Sequence, residues 1–331
     1  MIENFQNNSV IKLNAKITTI LLLNNKKDIA VCTTNGYLHI FNIKIFKLVL
    51  SIELMKSIEH PLKKTILDII EFSKNKFCLA CWDDTIKVIE LYDKNRKYKL
   101  LQTLPDHKAF VNSLKKLSFF KNEIIVASSS SNGIIILWKY ENEKFNKFRE
   151  IKLYSNDPDQ EDIYNRQIES MEESSKYHKL ICGNFHSNTL FFCDLIDTQI
   201  IGRKEMNVNR CIRALKIIEN GEILLVVGNS EINVIELEKF EILITIKYGL
   251  SCEFNCVFQK KNGNILITEY GKICKIKEFQ FDLKKLALNV ISMRENDFSN
   301  YITTIVELDN ENLIIGGYDQ TIKFFQKLKV K

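Results

Sequence analysis

The stretch that decides the fold is ASSSSNGIIILW, residues 127–138, where a run of small residues leads through Asn-Gly into four apolar residues and a tryptophan. Asn132 and Gly133 both tolerate the positive φ that a type I′ turn requires, and β-forming residues stand on both sides of them. The pattern therefore predicts a strand, a tight turn and a second strand. Because the second strand is apolar at consecutive positions, we expect both of its faces to be buried.

Copies of this strand–turn–strand unit recur along the chain, and such a repeat determines the architecture. The seven copies are IAVCTTNGYLHIF (29–41), FCLACWDDTIKVI (77–89), VASSSSNGIIILW (126–138), ICGNFHSNTLFFC (181–193), ILLVVGNSEINVI (223–235), the weaker ILITEYGKICKI (265–276) and LIIGGYDQTIKFF (313–325). Their turns lie near Asn35, Asp83, Asn132, Ser187, Asn229, Gly271 and Asp319, roughly 41 to 55 residues apart. A four-stranded propeller blade takes roughly 40 to 45 residues, so the spacing indicates one blade per copy.

Each copy is preceded by a further apolar run, such as ITTILLL (17–23) or RQIESM (166–171), and some copies are followed by a more polar strand, such as KFREIKLY (147–154). We therefore predict an all-β fold, a seven-bladed β-propeller of four-stranded antiparallel blades that forms a single domain over residues 1–331. The last copy lacks an outer strand of its own. We expect SVIKL (9–13) to pair with residues 321–326 and close the ring, which removes exposed sheet edges.

The copies resemble the WD-repeat family, in which a small-residue strand leads to an Asp turn, then Thr, an apolar triplet and Trp. The resemblance covers about residues 9–328 and is closest in CLACWDDTIKVI, VASSSSNGIIILW and LIIGGYDQTIKFF, while LPDHKAFVNSL (104–114) is similar to the family's Gly-His segment. It implies a structural hydrogen-bond relay of His107, Ser128, Asn132 and Trp138, with Asn132 in place of the family's Asp. In other copies the Trp position holds Phe41, Ile89, Cys193, Ile235 and Phe325.

Composition is that of a globular protein, with 45% hydrophobic and 27% charged residues and a formal net charge of +6. No apolar run approaches the roughly 18 residues that span a bilayer, and the N-terminal segment lacks the pattern of a secretory signal. We therefore expect an intracellular protein, cytoplasmic or alternatively nuclear. Acids and bases are interspersed, without the long basic block typical of nucleic-acid arms.

The nine cysteines are scattered, and an odd number cannot all form disulfides within the chain. Cys78 and Cys81 form a C-x-x-C that invites a zinc or redox interpretation, but they lie in an apolar strand and no second C-x-x-C stands at zinc-site spacing. We favour buried thiols. The sequence also lacks a Gly-rich phosphate loop, an H-E-x-x-H and a G-x-S-x-G. We expect no catalytic residues, no metal and no cofactor.

Two regions are candidates for partner contact. The first is the residues just before the turns, where Trp82, His186 and Tyr318 are aromatic although the fold requires no aromatic there. They either contact a partner or pack against neighbouring loops. The second is SNDPDQEDIYNRQIESMEES (155–174), an apparent insertion with seven acids and one base. It is either a solvated loop or a docking loop for a basic surface.

The function that these observations favour is a non-enzymatic scaffold that holds proteins or peptides on the propeller faces, as a subunit of a larger intracellular complex. A second hypothesis is a propeller that binds RNA or an anionic membrane, which the mild positive charge permits. A third is a propeller-based enzyme, which would require convergent acid–base residues around the central channel.

Overall fold

A computed structural model describes residues 5–56, 58–92, 94, 96–154, 166–206, 211–218, 221–248, 252–271, 274–285, 287–296, 298–309 and 311–327. These residues form 28 β-strands in seven four-stranded sheets, in which every neighbouring pair of strands is antiparallel. A short 3-10 helix, Pro61–Lys64, lies between the first two blades. No helix in this part of the chain has the length and apolar character needed to cross a membrane.

Six blades each consist of four consecutive strands, in order from the central channel to the rim. Blade 1 contains β2 (Ile17–Leu22), β3 (Asp28–Thr33), β4 (Tyr37–Asn42) and β5 (Lys47–Glu53). Blade 2 contains β6 (Ile66–Ser73), β7 (Lys76–Cys81), β8 (Ile86–Tyr92) and β9 (Lys97–Leu104). Blade 3 contains β10 (Val111–Leu117), β11 (Ile124–Ser130), β12 (Ile134–Glu141) and β13 (Lys144–Lys152).

The remaining blades follow the same plan. Blade 4 contains β14 (Ile168–Ser174), β15 (Lys179–Asn184), β16 (Thr189–Asp194) and β17 (Ile200–Glu205). Blade 5 contains β18 (Ile212–Ile218), β19 (Ile223–Gly228), β20 (Glu231–Glu236) and β21 (Glu241–Lys247). Blade 6 contains β22 (Glu253–Gln259), β23 (Ile265–Tyr270), β24 (Cys274–Asp282) and β25 (Ala287–Asn296). Blade 7 contains β26 (Ile302–Glu307), β27 (Leu313–Gly317), β28 (Thr321–Lys327) and, outermost, β1 (Phe5–Lys12).

The N-terminal strand closes the ring, as the sequence predicts. β1 pairs antiparallel with β28, from Phe5 opposite Lys327 to Lys12 opposite Thr321, with one register shift between Asn7 and Ser9. Both ends of the described chain therefore belong to blade 7. The paired strand begins four residues earlier than the predicted 9–13 segment.

The hydrophobic core is divided among the seams between blades. Seven clusters of buried apolar residues each combine side chains from two neighbouring blades, and together they include all seven seams. The second and third strands of each blade lie between two such clusters, which explains why their sequences are apolar at consecutive positions. Trp138, for example, is 1% exposed in the cluster between blades 2 and 3.

The innermost strands share a β-bulge near their first residue. The register shifts at the same place in all seven blades, so that one extra residue is inserted in each inner strand. These bulge residues are Thr18, Leu67, Asn112, Glu169, Arg213, Asn255 and Thr303, and all of them line the central channel. A bulge re-aims a side chain without ending the strand, and here it presents one residue per blade to the channel.

The C-terminal part of the predicted acidic insertion is a strand. Residues 155–165 lie outside the described part of the chain. Ile168–Ser174, within the predicted insertion, is the innermost strand of blade 4. Its Glu173 is not a solvated loop residue, because its carboxylate accepts hydrogen bonds from the backbone N–H groups of Ser118 (2.7 Å) and Phe119 (2.6 Å) in blade 3.

Candidate functional site: the upper mouth of the central channel

A cavity of about 490 Å³ opens at the end of the channel where the inner strands begin, which we call the upper mouth. The seven bulge residues line its depth. Further lining residues are Thr19, Asp68, Trp82, Phe110, Ser113, Gln167, Tyr301 and Tyr318. Ligand sites in proteins are typically concave. This cavity combines four aromatic residues with a lining that is otherwise mostly polar.

Two aromatic pairs form the rim of the upper mouth. The rings of Trp82 and Phe110 are 5.0 Å apart, at the seam of blades 2 and 3. In blade 7, Tyr318 meets Tyr301 edge-on at 6.2 Å, and Tyr301 stacks on Tyr270 of blade 6 at 3.9 Å. The structure thus places two of the three predicted aromatic contact residues, Trp82 and Tyr318, at the same opening.

His186, the third predicted contact residue, is not placed with them. The backbone N–H of Trp82 donates to Thr65 O (2.9 Å) and that of Tyr318 donates to Tyr301 O (2.8 Å). In blade 4 the corresponding bond runs from Phe185 N–H to Gln167 O (2.8 Å), so Phe185 holds the equivalent position.

The turn of blade 4 displaces His186 by one residue. The side chain of Asn184 accepts the backbone N–H groups of both His186 (2.7 Å) and Ser187 (2.5 Å), which winds an additional residue into the turn. His186 is exposed and packs edge-on against Phe185 at 4.6 Å. The prediction aligns this copy on its turn residue, Ser187, rather than on the end of the second strand, and therefore misses the shift.

Three ionisable side chains face the upper mouth. Asp68 accepts the backbone N–H groups of Ile69 and Leu114, each at 2.8 Å, and so joins blades 2 and 3. Burial raises the pKa of Asp68 to about 6, although those hydrogen bonds oppose the shift. Glu169 and Arg213 lie on the adjacent blades 4 and 5. Burial also raises the pKa of Glu169, against the opposing effects of Gln167 and Arg213.

Away from the mouth, the structure brings together three of the four residues of the predicted relay. His107 Nε2 lies 2.7 Å from Ser128 Oγ, and Trp138 Nε1 donates to the same oxygen at 2.8 Å. His107 and Ser128 are buried with the indole. The tryptophan that closes the opening stretch therefore has an acceptor for its N–H inside the core, as a buried indole requires.

Asn132, the fourth predicted relay residue, does not join this group. Its Oδ1 accepts the hydroxyl of Ser130 instead, within its own turn. The same local bond occurs in blade 1, where Thr33 Oγ1 donates to Asn35 Oδ1 at 2.7 Å. His107 Nδ1, although buried, has no hydrogen-bond partner among the described residues.

The buried histidine predicts a specific pH dependence of stability. Burial, with a smaller effect of Lys147 that Glu150 opposes, lowers the pKa of His107 from 6.5 to about 4. Between those values the unfolded chain binds a proton that the folded chain excludes. The stabilisation is therefore complete above pH 6.5 and is lost as pH falls, by about 2 kcal/mol on going from about pH 7.5 to about pH 5.

Urea unfolding of the wild type and of His107→Gln at several pH values measures this contribution. The glutamine can still hydrogen-bond Ser128 but does not titrate. Asp68 has the opposite dependence, since its raised pKa favours the folded state as pH falls, and taking the difference between the two proteins cancels it. A difference that stays constant with pH would show that His107 is not the group responsible.

The two cysteines of the C-x-x-C are buried free thiols. All nine are free thiols, seven of them buried, and burial raises the pKa of both Cys78 and Cys81 well above the ordinary value. Such thiols are poor nucleophiles. Among the described residues, no group of three or more His, Cys, Asp or Glu side chains is arranged to hold a metal ion.

The comparisons with known proteins agree with this architecture. Residues 98–139 match the model of the WD domain, G-beta repeat. The crystal structure of the WD40 β-propeller domain of Doa1 superimposes with a TM-score of 0.73, at 14% identity over 98% of each chain. The chain therefore has the β-propeller fold, and one segment of it, residues 98–139, is similar to a WD40 repeat. A search of curated proteins finds no match.

The matched WD40 repeat is offset from the blades. It begins in β9, the outer strand of blade 2, and continues through the three inner strands of blade 3. One WD40 repeat therefore supplies strands to two neighbouring blades, in the same way that β1 belongs to blade 7. The degenerate repeats of this propeller are joined by shared sheets as well as by the apolar seams.

Proposed function

We propose that this WD40 propeller is a non-enzymatic scaffold that binds a protein or peptide segment at its upper mouth, as a subunit of a larger intracellular complex. The observation that carries the proposal is the aromatic rim of Trp82, Phe110, Tyr301 and Tyr318 around an open cavity with charged groups at its base. Propellers of this family generally mediate protein interactions, and exposed Trp and Tyr are frequent interface anchors.

The rim residues are held by hydrogen bonds and ring contacts, which favours recognition of a partner. Burial, together with a hydrogen bond from its hydroxyl to Glu253, raises the pKa of Tyr301 to about 12, so that Tyr301 remains a neutral donor. Trp82 and Tyr318 are only partly buried. Their backbone N–H groups donate hydrogen bonds to the residues that precede the inner strands of their blades. A rigid aromatic surface loses little conformational entropy when it binds.

Affinity purification of the tagged full-length protein from its native cell tests the proposal. We expect a defined set of stoichiometric partners with the wild type and their loss with Trp82→Ala, Tyr318→Ala. The matched control is Tyr92→Ala, Tyr98→Ala, which removes two aromatic side chains that are 47% and 39% exposed on the outer part of blade 2. All three proteins are first compared by thermal unfolding, so that loss of fold is not mistaken for loss of binding.

The outcomes separate the hypotheses. Partners lost in the rim variant and kept in the control support the upper mouth as the binding surface. Partners kept in both variants would place the interface elsewhere on the propeller. The absence of any stable partner with the wild type would contradict the scaffold role.

A further inference from the structure

In most blades the bulge residue links its own blade to the next one. In four blades the bulge residue donates a hydrogen bond to a backbone carbonyl at the start of the next inner strand. These bonds run from Thr18 to Ile66 O (2.6 Å), from Asn112 to Ile168 O (3.0 Å), from Asn255 to Ile302 O (3.2 Å) and from Thr303 to Ile17 O (3.0 Å). The bulge residue thus normally ties one blade to its neighbour around the upper mouth.

Two charged residues depart from this task. Glu169 in blade 4 is an acceptor when ionised and cannot donate to the next blade. Arg213 in blade 5 has five N–H donors. Its guanidinium contacts the Cys211 thiol, but no ion pair of the guanidinium is found among the described residues, and its buried Nε has no partner there. Leu67 is the third exception and carries no polar group.

The surroundings of Arg213 orient it toward the cavity. Its guanidinium lies over the ring of Phe185, 4.4 Å from the ring centroid, which holds the guanidinium plane by a cation–π contact. Phe185 is itself fixed by the backbone bond to Gln167 described above. A guanidinium that stacks on an aromatic ring keeps its N–H groups available at the edge for bidentate binding of a carboxylate.

The carboxylate of Glu169 also makes fewer hydrogen bonds than it could. Gln167 Nε2 donates to its Oε2 at 2.7 Å, and Oε1 accepts no hydrogen bond within the described part of the chain. Glu169 and Arg213 line the same cavity on adjacent blades, but no ion pair joins them within 4.0 Å. The two opposite charges attract each other without a direct ion pair, so each keeps hydrogen-bonding capacity that a ligand can use.

We propose that Glu169 and Arg213 form a two-point receptor for a partner segment that carries a basic and an acidic side chain close together. The basic group binds the free oxygen of Glu169, and the carboxylate binds the guanidinium of Arg213. A segment with a single charge is disfavoured. A lone acidic side chain would be repelled by Glu169, and a lone basic side chain would be repelled by Arg213. This inference rests on the proposed function and specifies the chemistry of its partner.

Four short blocked peptides that differ only at two central residues test the inference: Lys-Glu, Lys-Gln, Gln-Glu and Gln-Gln. The chain has two tryptophans, so indole N–H resonances of ¹⁵N-labelled protein report binding directly. Trp82 lines the mouth, and Trp138, buried in the core, is the internal control. We expect Lys-Glu to shift the Trp82 signal and to bind about tenfold more tightly than either singly charged peptide, as charge-assisted bonds predict.

Two variants show whether Glu169 binds the basic side chain of the peptide and Arg213 the acidic one. Glu169→Gln should abolish the preference for Lys, and Arg213→Gln should abolish the preference for Glu. The matched control is Lys176→Gln with Glu222→Gln, which removes an exposed ion pair between the same two blades at the opposite end of the inner strands. That control should keep the selectivity of the wild type.

Three results would overturn the inference. One is equal binding of all four peptides, and another is no shift of the Trp82 signal with any of them up to their solubility limit. The third is unchanged selectivity in Glu169→Gln and Arg213→Gln with strongly non-additive effects of the two changes on unfolding, which would mean that the residues serve each other within the fold. None of these contradicts the scaffold role, which depends on whether natural partners require Trp82 and Tyr318.

Discussion

Removal of residues 1–14 is expected to lower the melting temperature of this propeller by roughly 10 °C or more and to make it aggregate. The deletion removes the whole of β1 and with it the ladder to β28, whose bonds contribute about 1 kcal/mol each. It also removes Ile11 and Leu13, which pack against the cluster between blades 7 and 1. The new edge would be β28, in which Ile322 and Phe324 are buried in the intact protein.

Differential scanning fluorimetry and light scattering measure the two effects. Val10→Ala is the matched control, since Val10 belongs to the same strand but is 52% exposed, and its truncation should change the melting temperature little. An exposed strand edge templates pairing with other chains, so aggregation should depend on protein concentration. A truncated protein as stable and as monomeric as the wild type would show that β1 does not close the ring in solution.

Lys260→Met is expected to reduce the free energy of unfolding by about 3 to 5 kcal/mol, the usual effect of removing one partner from a buried ion pair. Lys260 Nζ lies 3.0 Å from Glu278 Oε1 in blade 6, and the two side chains are 6% and 5% exposed. The carboxylate also accepts hydrogen bonds from Asn264 (2.7 Å) and Ser292 (3.1 Å). Without the lysine, a buried negative charge would remain.

The neighbouring residue provides the control for this experiment. Lys261 pairs with Asp309 at 2.9 Å, but these side chains are 53% and 58% exposed, so Lys261→Met should change stability by less than about 1 kcal/mol. The double variant Lys260→Met, Glu278→Leu should recover much of the loss, because it leaves no buried charge. A double variant less stable than Lys260→Met alone would mean that the pair is net stabilising.

The effect of Lys260→Met should also depend on pH. Burial opposes ionisation of Glu278, but the hydrogen bonds from Asn264 and Lys260 outweigh it and lower the pKa of the carboxyl. Its stabilising contribution is therefore present above the ordinary pKa of a glutamate and is lost as pH falls through the lowered value. Urea titrations should show the gap between wild type and Lys260→Met narrowing in acid.

The blade architecture could be predicted from the sequence because strands that lie between two apolar seams must be apolar on both faces. IIVASSS and IIILWKYE show this directly, with nearly every residue of β11 and the centre of β12 buried. Ring closure could be predicted because the last copy lacks an outer strand of its own and a strand-like segment, SVIKL, is available at residues 9–13.

The details of the upper mouth could not be predicted because they depend on single-residue shifts. The bulges turn Glu169 and Arg213 toward the channel, and no property of either residue alone reveals a bulge. The additional residue in the turn after Asn184 puts Phe185 rather than His186 beside the mouth. Hydrophobic periodicity is insensitive to a shift of one residue in a loop, although such a shift decides which side chain is presented.

Blade 6 shows a different limit of sequence reasoning. Lysine and glutamate usually indicate surface, so Lys260, Lys277 and Glu278 do not suggest a core, yet all three are buried. Lys277 pairs with Glu269 and lies over the ring of Tyr248, 4.0 Å from its centroid. Lys260 lies in the turn after β22 and Glu269 in β23, while Lys277 and Glu278 lie in β24. The sequence therefore does not show that these charges compensate one another.

The pairing of β1 with β28 also has a consequence during synthesis. β1 leaves the ribosome before every other described strand, and its partner leaves last of them. Blades 1 to 6 can each form from consecutive strands as they emerge, but blade 7 must wait until β28 has emerged. Until then the ring is open, and neither β1 nor the last blade has its final partner. The pairing of β1 with β28, which lie far apart in the sequence, should be a slow folding step. Chaperones that shield strand edges would act on this protein at that stage.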